Sequence, residues 1–336
     1  MKLALHVDGG KGVGLGHVTR GIALSFELQA LGITPVFLIS PESSLAEFLS
    51  RYPFPVRVCD PRPESLLAAC RAEGMEALVL DSYKLDAVGL RHLRHGGLPL
   101  ICFDDLARKP LPADLVINGS PGAHRLPYEQ LTSAELLLGP SYQVLRPEFQ
   151  SPVERDYALA PRSILVTLGG DDLANAMTDL SDFFKASAAF HPDMLVHFVI
   201  GPYFERADGE WAPNHRVHRA PRDMRSLMRG ADIAISAGGQ TLYELARCSV
   251  PTLAFCTGQD QQGNLEALAA LGCIRYLGWV KREGWLHRLE ENLTVLLEDP
   301  LAREALGRQG SLTIDGQGAG RVATAIKVLV ARREGA

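Results

Sequence analysis

Short apolar runs, rich in leucine and β-branched residues, alternate along this chain with longer stretches whose apolar positions recur at helical spacing. In the first half the runs predict strands at Leu3–Val7, Pro35–Ile39, Val56–Cys59, Ala77–Leu80, Leu98–Phe103 and Asp114–Ile117. Helical periodicity predicts helices between several of them, at His17–Leu31, Glu42–Arg51 and Glu64–Glu73. The pattern restarts at Ser163–Leu168, a strand running into Gly169-Gly170, and continues with a helix over Leu173–Phe190. Strands at Leu195–Ile200, Ile233–Ser236 and Thr252–Phe255 follow, with helices at Thr241–Cys248 and Asn264–Leu271 and a terminal helix over Arg321–Arg333. Such alternation argues for βαβ units and parallel sheets.

Two consecutive α/β domains account for the restart. Arg146–Arg162 is polar and carries Pro147, Pro152 and Pro161, so it reads as a linker. The expected division is residues 1–150 and residues 151–336, with the terminal helix in the second domain. A length of 336 residues agrees with two domains of roughly 150 residues each. Apolar residues at 46% and charged residues at 22% exclude a disordered chain. The chain has 34 basic and 39 acidic residues, a net charge of −5 and no run of four basic residues, so nucleic acid is not an expected partner. No apolar stretch approaches the roughly 20 residues that span a bilayer, so stable membrane insertion is not expected. The opening Met1–Asp8 reaches a charge too soon for a secretory leader, and six cysteines form no C-x-x-C pair. A cytoplasmic chain with reduced thiols is the expectation.

In open parallel sheets, ligands sit beyond the carboxyl ends of the strands, so residues just after strands carry the chemistry. The first strand runs into Asp8-Gly9-Gly10-Lys11-Gly12-Val13-Gly14-Leu15-Gly16-His17-Val18-Thr19-Arg20. Its glycines allow close backbone approach, and the following helix aims amides and its positive end at an anion. A dinucleotide fingerprint fails, because His17 stands where the third glycine belongs and the second strand ends in Ser40 rather than an acid. A Walker loop fails as well, because Gly10-Lys11 is followed by Gly12. His17 opens the helix, where the dipole disfavours imidazolium; it is expected to be a neutral ring able to take a proton, or simply a helix cap.

In the second half, Ser236-Ala237-Gly238-Gly239-Gln240-Thr241-Leu242-Tyr243-Glu244 repeats the arrangement and suits a diphosphate. Glu244, one turn into the helix, is placed to accept ribose hydroxyls, but Thr241-x-x-Glu244 is equally a capping box. Gly169-Gly170-Asp171-Asp172 ends a strand and is either part of the same cleft or a solvated turn. Asp81-Ser82-Tyr83 and Asp104-Asp105 also follow strands. The acidic pair raises a divalent metal, yet no further oxygen ligands stand in register; H-x-x-x-H, H-E-x-x-H and G-x-S-x-G are all absent. No metal and no cofactor are expected.

Together these motifs resemble a known family. Gly14-Leu15-Gly16-His17-Val18-Thr19-Arg20 is similar to the G-x-G-H-x-x-R turn of the nucleotide-sugar hydrolases of pseudaminic acid biosynthesis, relatives of the GT-B peptidoglycan glycosyltransferase and of spore-coat polysaccharide proteins. The likeness continues through Asp81-Ser82-Tyr83, Phe103–Leu106, Asp114–Asn118, Leu138–Tyr142 and Leu145-Arg146-Pro147-Glu148-Phe149. It resumes at Gly169–Asp172 and Ser236–Thr241 with Glu244, and ends at Asp315–Ala319 with Arg321–Ala323.

The resemblance implies a GT-B-like α/β fold, two Rossmann-like parallel-sheet domains with a cleft between them. It implies cleavage of a UDP-linked diacetamido-trideoxy hexose to UDP and free sugar, with inverting water attack and His17 as the base. The implied substrate-binding set is Asp8, Gly14, Gly16, Arg20, Tyr83, Asp104 and Asp105 in the first half. In the second it is Gly170, Asp171, Gly238, Gly239, Gln240, Thr241, Glu244, Asp260 and Gln261. Asp260-Gln261 departs from the family's usual Asn-Gln. An inverting glycosyltransferase on the same scaffold and a catalytically silent nucleotide-sugar-binding module are the alternatives. A lipid-directed transferase would favour a basic patch such as Arg91, His92, Arg94 and His95, which a solvated helix face also explains.

Overall fold

A computed structural model of the chain describes residues 1–172, 174–186, 193–204 and 211–334. It divides into two compact units, Met1–Pro147 together with the segment from Gly316 onward, and Glu148–Asp315.

The first unit begins with β1 (Lys2–Val7), α1 (Gly16–Ala30), β2 (Thr34–Ile39), α2 (Leu45–Leu49), β3 (Val56–Val58) and α3 (Pro63–Ala72). It continues with β4 (Ala77–Asp81), α4 (Ala87–His95), β5 (Leu100–Phe103), β6 (Leu115–Asn118), α5 (Tyr128–Leu131) and β7 (Glu135–Leu138). The strands are parallel and ordered β3-β2-β1-β4-β5-β6-β7. The central strands are apolar along most of their length because both faces are covered, with His6 in β1 and Asp81 at the end of β4 as buried polar exceptions. Leu3, Leu5, Val7, Phe37 and Ile39 join the α1 residues Ile22, Leu24 and Leu28 in one core. Ala4, Val36, Leu38, Leu78 and Leu80 join α3 and α4 in another, through Leu66, Leu67, Leu90 and Leu93.

The second unit contains β8 (Ser163–Thr167), α6 (Ala176–Ala186), β9 (Leu195–Ile200), β10 (His215–Arg219), α7 (Met224–Gly230) and β11 (Ile233–Ala237). After these come α8 (Thr241–Arg247), β12 (Thr252–Cys256), α9 (Gln262–Ala270), β13 (Arg275–Trp279), α10 (Trp285–Glu298) and α11 (Pro300–Thr313). Its parallel order is β10-β9-β8-β11-β12-β13. Of the helix expected over Leu173–Phe190, Leu173 and residues 187–190 lie outside the described residues.

Two expectations about the division are corrected. The terminal helix α12 (Gly318–Glu334) belongs to the first unit, because Ala319, Val322, Ala323, Ile326 and Val330 complete the core beside α1. The proline-rich segment is no free linker. Arg155 donates to the carbonyls of Cys248 (2.9 Å), Ala231 (2.5 Å) and Met228 (2.5 Å), and the Tyr157 hydroxyl donates to Ser249 O (2.8 Å), strapping it to the second unit.

In both sheets the chain moves outward from one central strand and then returns to that strand's other side. The switch points fall between β1 and β4 and between β8 and β11, where ligands of open α/β sheets bind.

Candidate functional site

At the first switch point, Val7 of β1 pairs with Asp81 of β4, so the turns after both strands open on the same edge. His17 is the second residue of α1, and its side chain is 13% exposed. Its Nδ1 lies 2.7 Å from Asp81 Oδ1. Two ion partners hold the buried Asp81 carboxyl well below the usual carboxylate range: burial opposes this, and the charges of Arg20 and His17 outweigh it. An ionised carboxylate only accepts, so Nδ1 carries the hydrogen and the lone pair sits on Nε2. Among the described residues Nε2 has no hydrogen-bond partner.

The helix-end field expected to lower the His17 pKa is outweighed. Burial pulls the His17 pKa down most, but the charge and hydrogen bond of Asp81, aided by Asp105, outweigh that and the opposing Arg20, so the net shift is upward. A carboxylate at 2.7 Å overrides the weaker helix-end field. The ring is therefore a stronger base than a free histidine.

Arg20 was expected on the substrate. Instead its guanidinium is buried between Asp81 and Asp105 and stacks 4.7 Å from the Phe103 ring centroid. Tyr83, 38% exposed, stands edge-on to His17 with ring centroids 4.9 Å apart. Its hydroxyl donates to Asp105 Oδ2 at 2.8 Å. Partial burial and the Asp105 charge push the phenol above its ordinary range, so it stays protonated.

Other expected contacts are spent inside the unit. Asp8 accepts from Ser82 Oγ (2.6 Å) and the Tyr83 amide (3.3 Å), pinning the turn after β4. Asp104 points inward and accepts from the Ala107 amide (2.7 Å), the Leu106 amide (3.2 Å) and the Tyr128 hydroxyl (2.9 Å). Asp104 and Asp105 thus diverge and do not form an oxygen pair. The glycine turn closes on itself as a small antiparallel bridge: Gly10 N donates to Gly14 O (2.9 Å) and Gly14 N to Gly10 O (2.8 Å). Gly10 and Gly14 sit at φ +117° and +82°, which explains the glycines without a ligand and removes the Gly14 amide as a donor. Gly16 is exposed at the start of α1. Asp81, the partner that orients His17, reads from the sequence only as a polar residue after a strand.

At the second switch point, the turns after β8, β11 and β12 lie side by side, since β11 pairs with both other strands. The Gly238 amide donates to Gln261 Oε1 (3.1 Å), and Asn264 Nδ2 donates to Gly238 O (3.3 Å). Gln261 Oε1 also accepts from the Thr257 amide and hydroxyl, each at 3.1 Å, which turns its Nε2 donors away from that cluster. Gly238 is therefore a structural crossing, not a ligand amide. The amides of Gly239 and Thr241 have no partner among the described residues. Thr241 is the first residue of α8; Gln240 is its N-cap and makes no side-chain capping bond, so the threonine-capped box is not formed. Glu244 is buried at 3% exposure, and Asp260 is exposed on the turn after β12. The Gly170 carbonyl accepts from the Tyr203 amide (3.2 Å); Asp171 is half-buried beside it. Asn264, which no motif marked, tethers Gly238 and in turn accepts from the Tyr243 hydroxyl (2.5 Å).

The basic cluster on α4 is partly neutralised, as Arg94 pairs with Asp114 (2.9 Å) and His92 lies 3.6 Å from Glu64. Among the described residues, no helix is long and apolar enough to cross a membrane.

No protein-family model matches the chain. It is 28% identical over 346 residues to the spore coat polysaccharide biosynthesis protein SpsG of Bacillus subtilis, covering 98% of each chain. It is 22% identical to the pseudaminic acid cytidylyltransferase and UDP-2,4-diacetamido-2,4,6-trideoxy-beta-L-altropyranose hydrolase of Helicobacter pylori, over 78% of this chain and 46% of that protein. Among solved structures, MurG of Acinetobacter baumannii superposes with a TM-score of 0.68 at 16% identity, covering 97% of this chain and 99% of the other. The chain thus has the α/β architecture of the GT-B glycosyltransferases, built from two Rossmann-like parallel-sheet domains.

Proposed function

We propose that the chain is a nucleotide-sugar hydrolase. It cleaves a UDP-linked acetamido-deoxy hexose to UDP and free sugar, in surface-glycan biosynthesis of the pseudaminic type. The observation that carries this reading is the His17–Asp81 pair at the first switch point, with Nε2 left open as the basic atom. As water's oxygen bonds to the anomeric carbon, the bond from that carbon to the diphosphate breaks and UDP leaves with the electron pair. His17 Nε2 takes the water proton, and Asp81 holds the ring and stabilises the imidazolium. The configuration inverts because water attacks opposite the leaving group. Tyr83 is the wall on the sugar side.

The second unit holds the nucleotide on this reading. Gly239 and Thr241 amides, with Gln240, receive the diphosphate, and Glu244 receives the ribose. Gln261 Nε2, Gly170, Asp171 and Asp260 line the remainder. Fixed donors then stabilise the charge that develops on the leaving diphosphate.

Similarity to a protein named as a hydrolase supports water as acceptor. The glycosyltransferase fold supports, comparably, an inverting transferase in surface or spore-coat polysaccharide synthesis. Purified protein incubated with a panel of UDP-sugars and no acceptor separates the two. UDP release supports the hydrolase, whereas release only after a hydroxylated acceptor is added supports the transferase. UDP binding without turnover under either condition refutes both.

A further inference from the structure

The first unit encloses a cation whose bonds all run inward. Arg20 Nε donates to Asp81 Oδ2 and Nη2 to Asp81 Oδ1, both at 2.7 Å. Nη1 donates to Asp105 Oδ1 and Nη2 to Asp105 Oδ2, both at 3.0 Å. A planar guanidinium can grip two carboxylates with two bonds to each; a lysine ammonium, with three donors, cannot supply all four.

The charges facing His17 come from three elements. Asp81 ends β4, Asp105 follows β5, and Arg20 lies one turn along α1; the Tyr83 phenol adds a neutral dipole. With a neutral imidazole, two carboxylates and one guanidinium leave one net negative charge. With imidazolium the cluster is neutral. Without Arg20, two carboxylates would face the ring with no counter-ion, and the ring would hold its proton more tightly.

We propose that Arg20 is a positioning residue that does not touch substrate: it locks Asp81 and Asp105 about His17 and cancels one of their two charges, so that the imidazole enters the cycle as a base rather than as an acid. Through Asp105 it also fixes the Tyr83 phenol edge-on to the ring. The kinetic consequence rests on the general-base reading of His17; the charge balance is measurable without turnover.

Nitrogen-15 NMR of histidine-labelled full-length protein reads that balance, with the His17 signal assigned by its loss in H17Q. In R20M the His17 titration midpoint rises by about one pH unit or more, since a unit charge a few ångströms away at an effective dielectric constant near 20 is worth at least that. In R20K the charge remains but the fork is lost, so the midpoint moves by less than about 0.5 unit while turnover falls. In D105N, with one carboxylate neutralised, the midpoint falls. The acid limb of kcat follows the NMR midpoint in each variant. A folded R20M with an unmoved or lowered midpoint overturns the proposal. Where R20M yields no folded chain, D105N decides, and an unmoved or raised midpoint there overturns it. Midpoints that shift as expected, in a protein that turns over no UDP-sugar, leave the charge balance standing and remove the hydrolase reading.

Discussion

Replacing Asp81 by asparagine tests the site at its most connected atoms. The carboxylate accepts three charge-assisted bonds, from His17 Nδ1, Arg20 Nε and Arg20 Nη2, each at 2.7 Å. Such bonds contribute about 1.5–3 kcal/mol each, and breaking a buried ion network costs about 3–5 kcal/mol. Arg20 keeps both bonds to Asp105, and the carboxamide still offers one oxygen. The lower end applies, so D81N loses about 3 kcal/mol of stability. Urea unfolding followed by circular dichroism shows this as a midpoint lower by roughly 1.5 M, for a slope near 2 kcal/mol/M. The kinetic effect is larger. A carboxamide nitrogen turned to Nδ1 donates to it, which moves the imidazole hydrogen to Nε2 and removes the base. A loss of about 10³–10⁴ in kcat follows, as for other histidines whose orienting carboxylate becomes an amide. A folded D81N with kcat within about threefold of the parent would show that Asp81 does not set the tautomer.

The pH profile of kcat should fall on the acid side with a midpoint above 6.5, because His17 must be neutral to act and its pKa is raised from that value; a midpoint below 6.5 contradicts the assignment. Stability has the opposite sign: a raised pKa means that the His17 contribution is fully present below pH 6.5 and lost as pH rises through the folded value, which denaturant unfolding of H17N against the parent at several pH values measures. H17A should lose most of kcat while UDP affinity by calorimetry stays within about twofold, and E244A should weaken UDP binding by about tenfold or more. Unchanged UDP affinity in E244A assigns Glu244 a structural role. In G238A the new Cβ would fall 2.8 Å from Gln261 Cβ and Leu265 Cδ1, so about 1–3 kcal/mol of stability should be lost along with UDP affinity.

Most strands and helices were legible because their signals are local. The buried strands β1, β2, β4, β8, β9, β11 and β12 are apolar runs of the kind that two covered faces require. The strands that the pattern missed, β7, β10 and β13, stand at the edges of their sheets. Each is partly solvated and carries Glu135, His215-Arg216 or Arg275 within it, which breaks the apolar run. The terminal helix is legible as a helix, but position in sequence places it with the second unit rather than the first. An amphipathic helix does not encode which core it completes, and here that core includes α1, some three hundred residues earlier.

The site divides in the same way. Periodicity and turn chemistry placed His17, Tyr83, Asp105, Gly239, Thr241 and Glu244 after strands or at helix starts, and that much follows from the chain alone, because backbone preference and burial pattern act over a few residues. Strand order was settled only by the tertiary structure. It set β4 beside β1 and thereby brought Asp81 to His17, 64 residues away, and Asp105 to Arg20, 85 residues away. Those pairings turned an expected substrate cation into an internal counter-ion and raised the basicity of an expected neutral ring. Charge interactions depend on distance in space, and spacing along the chain does not carry that distance.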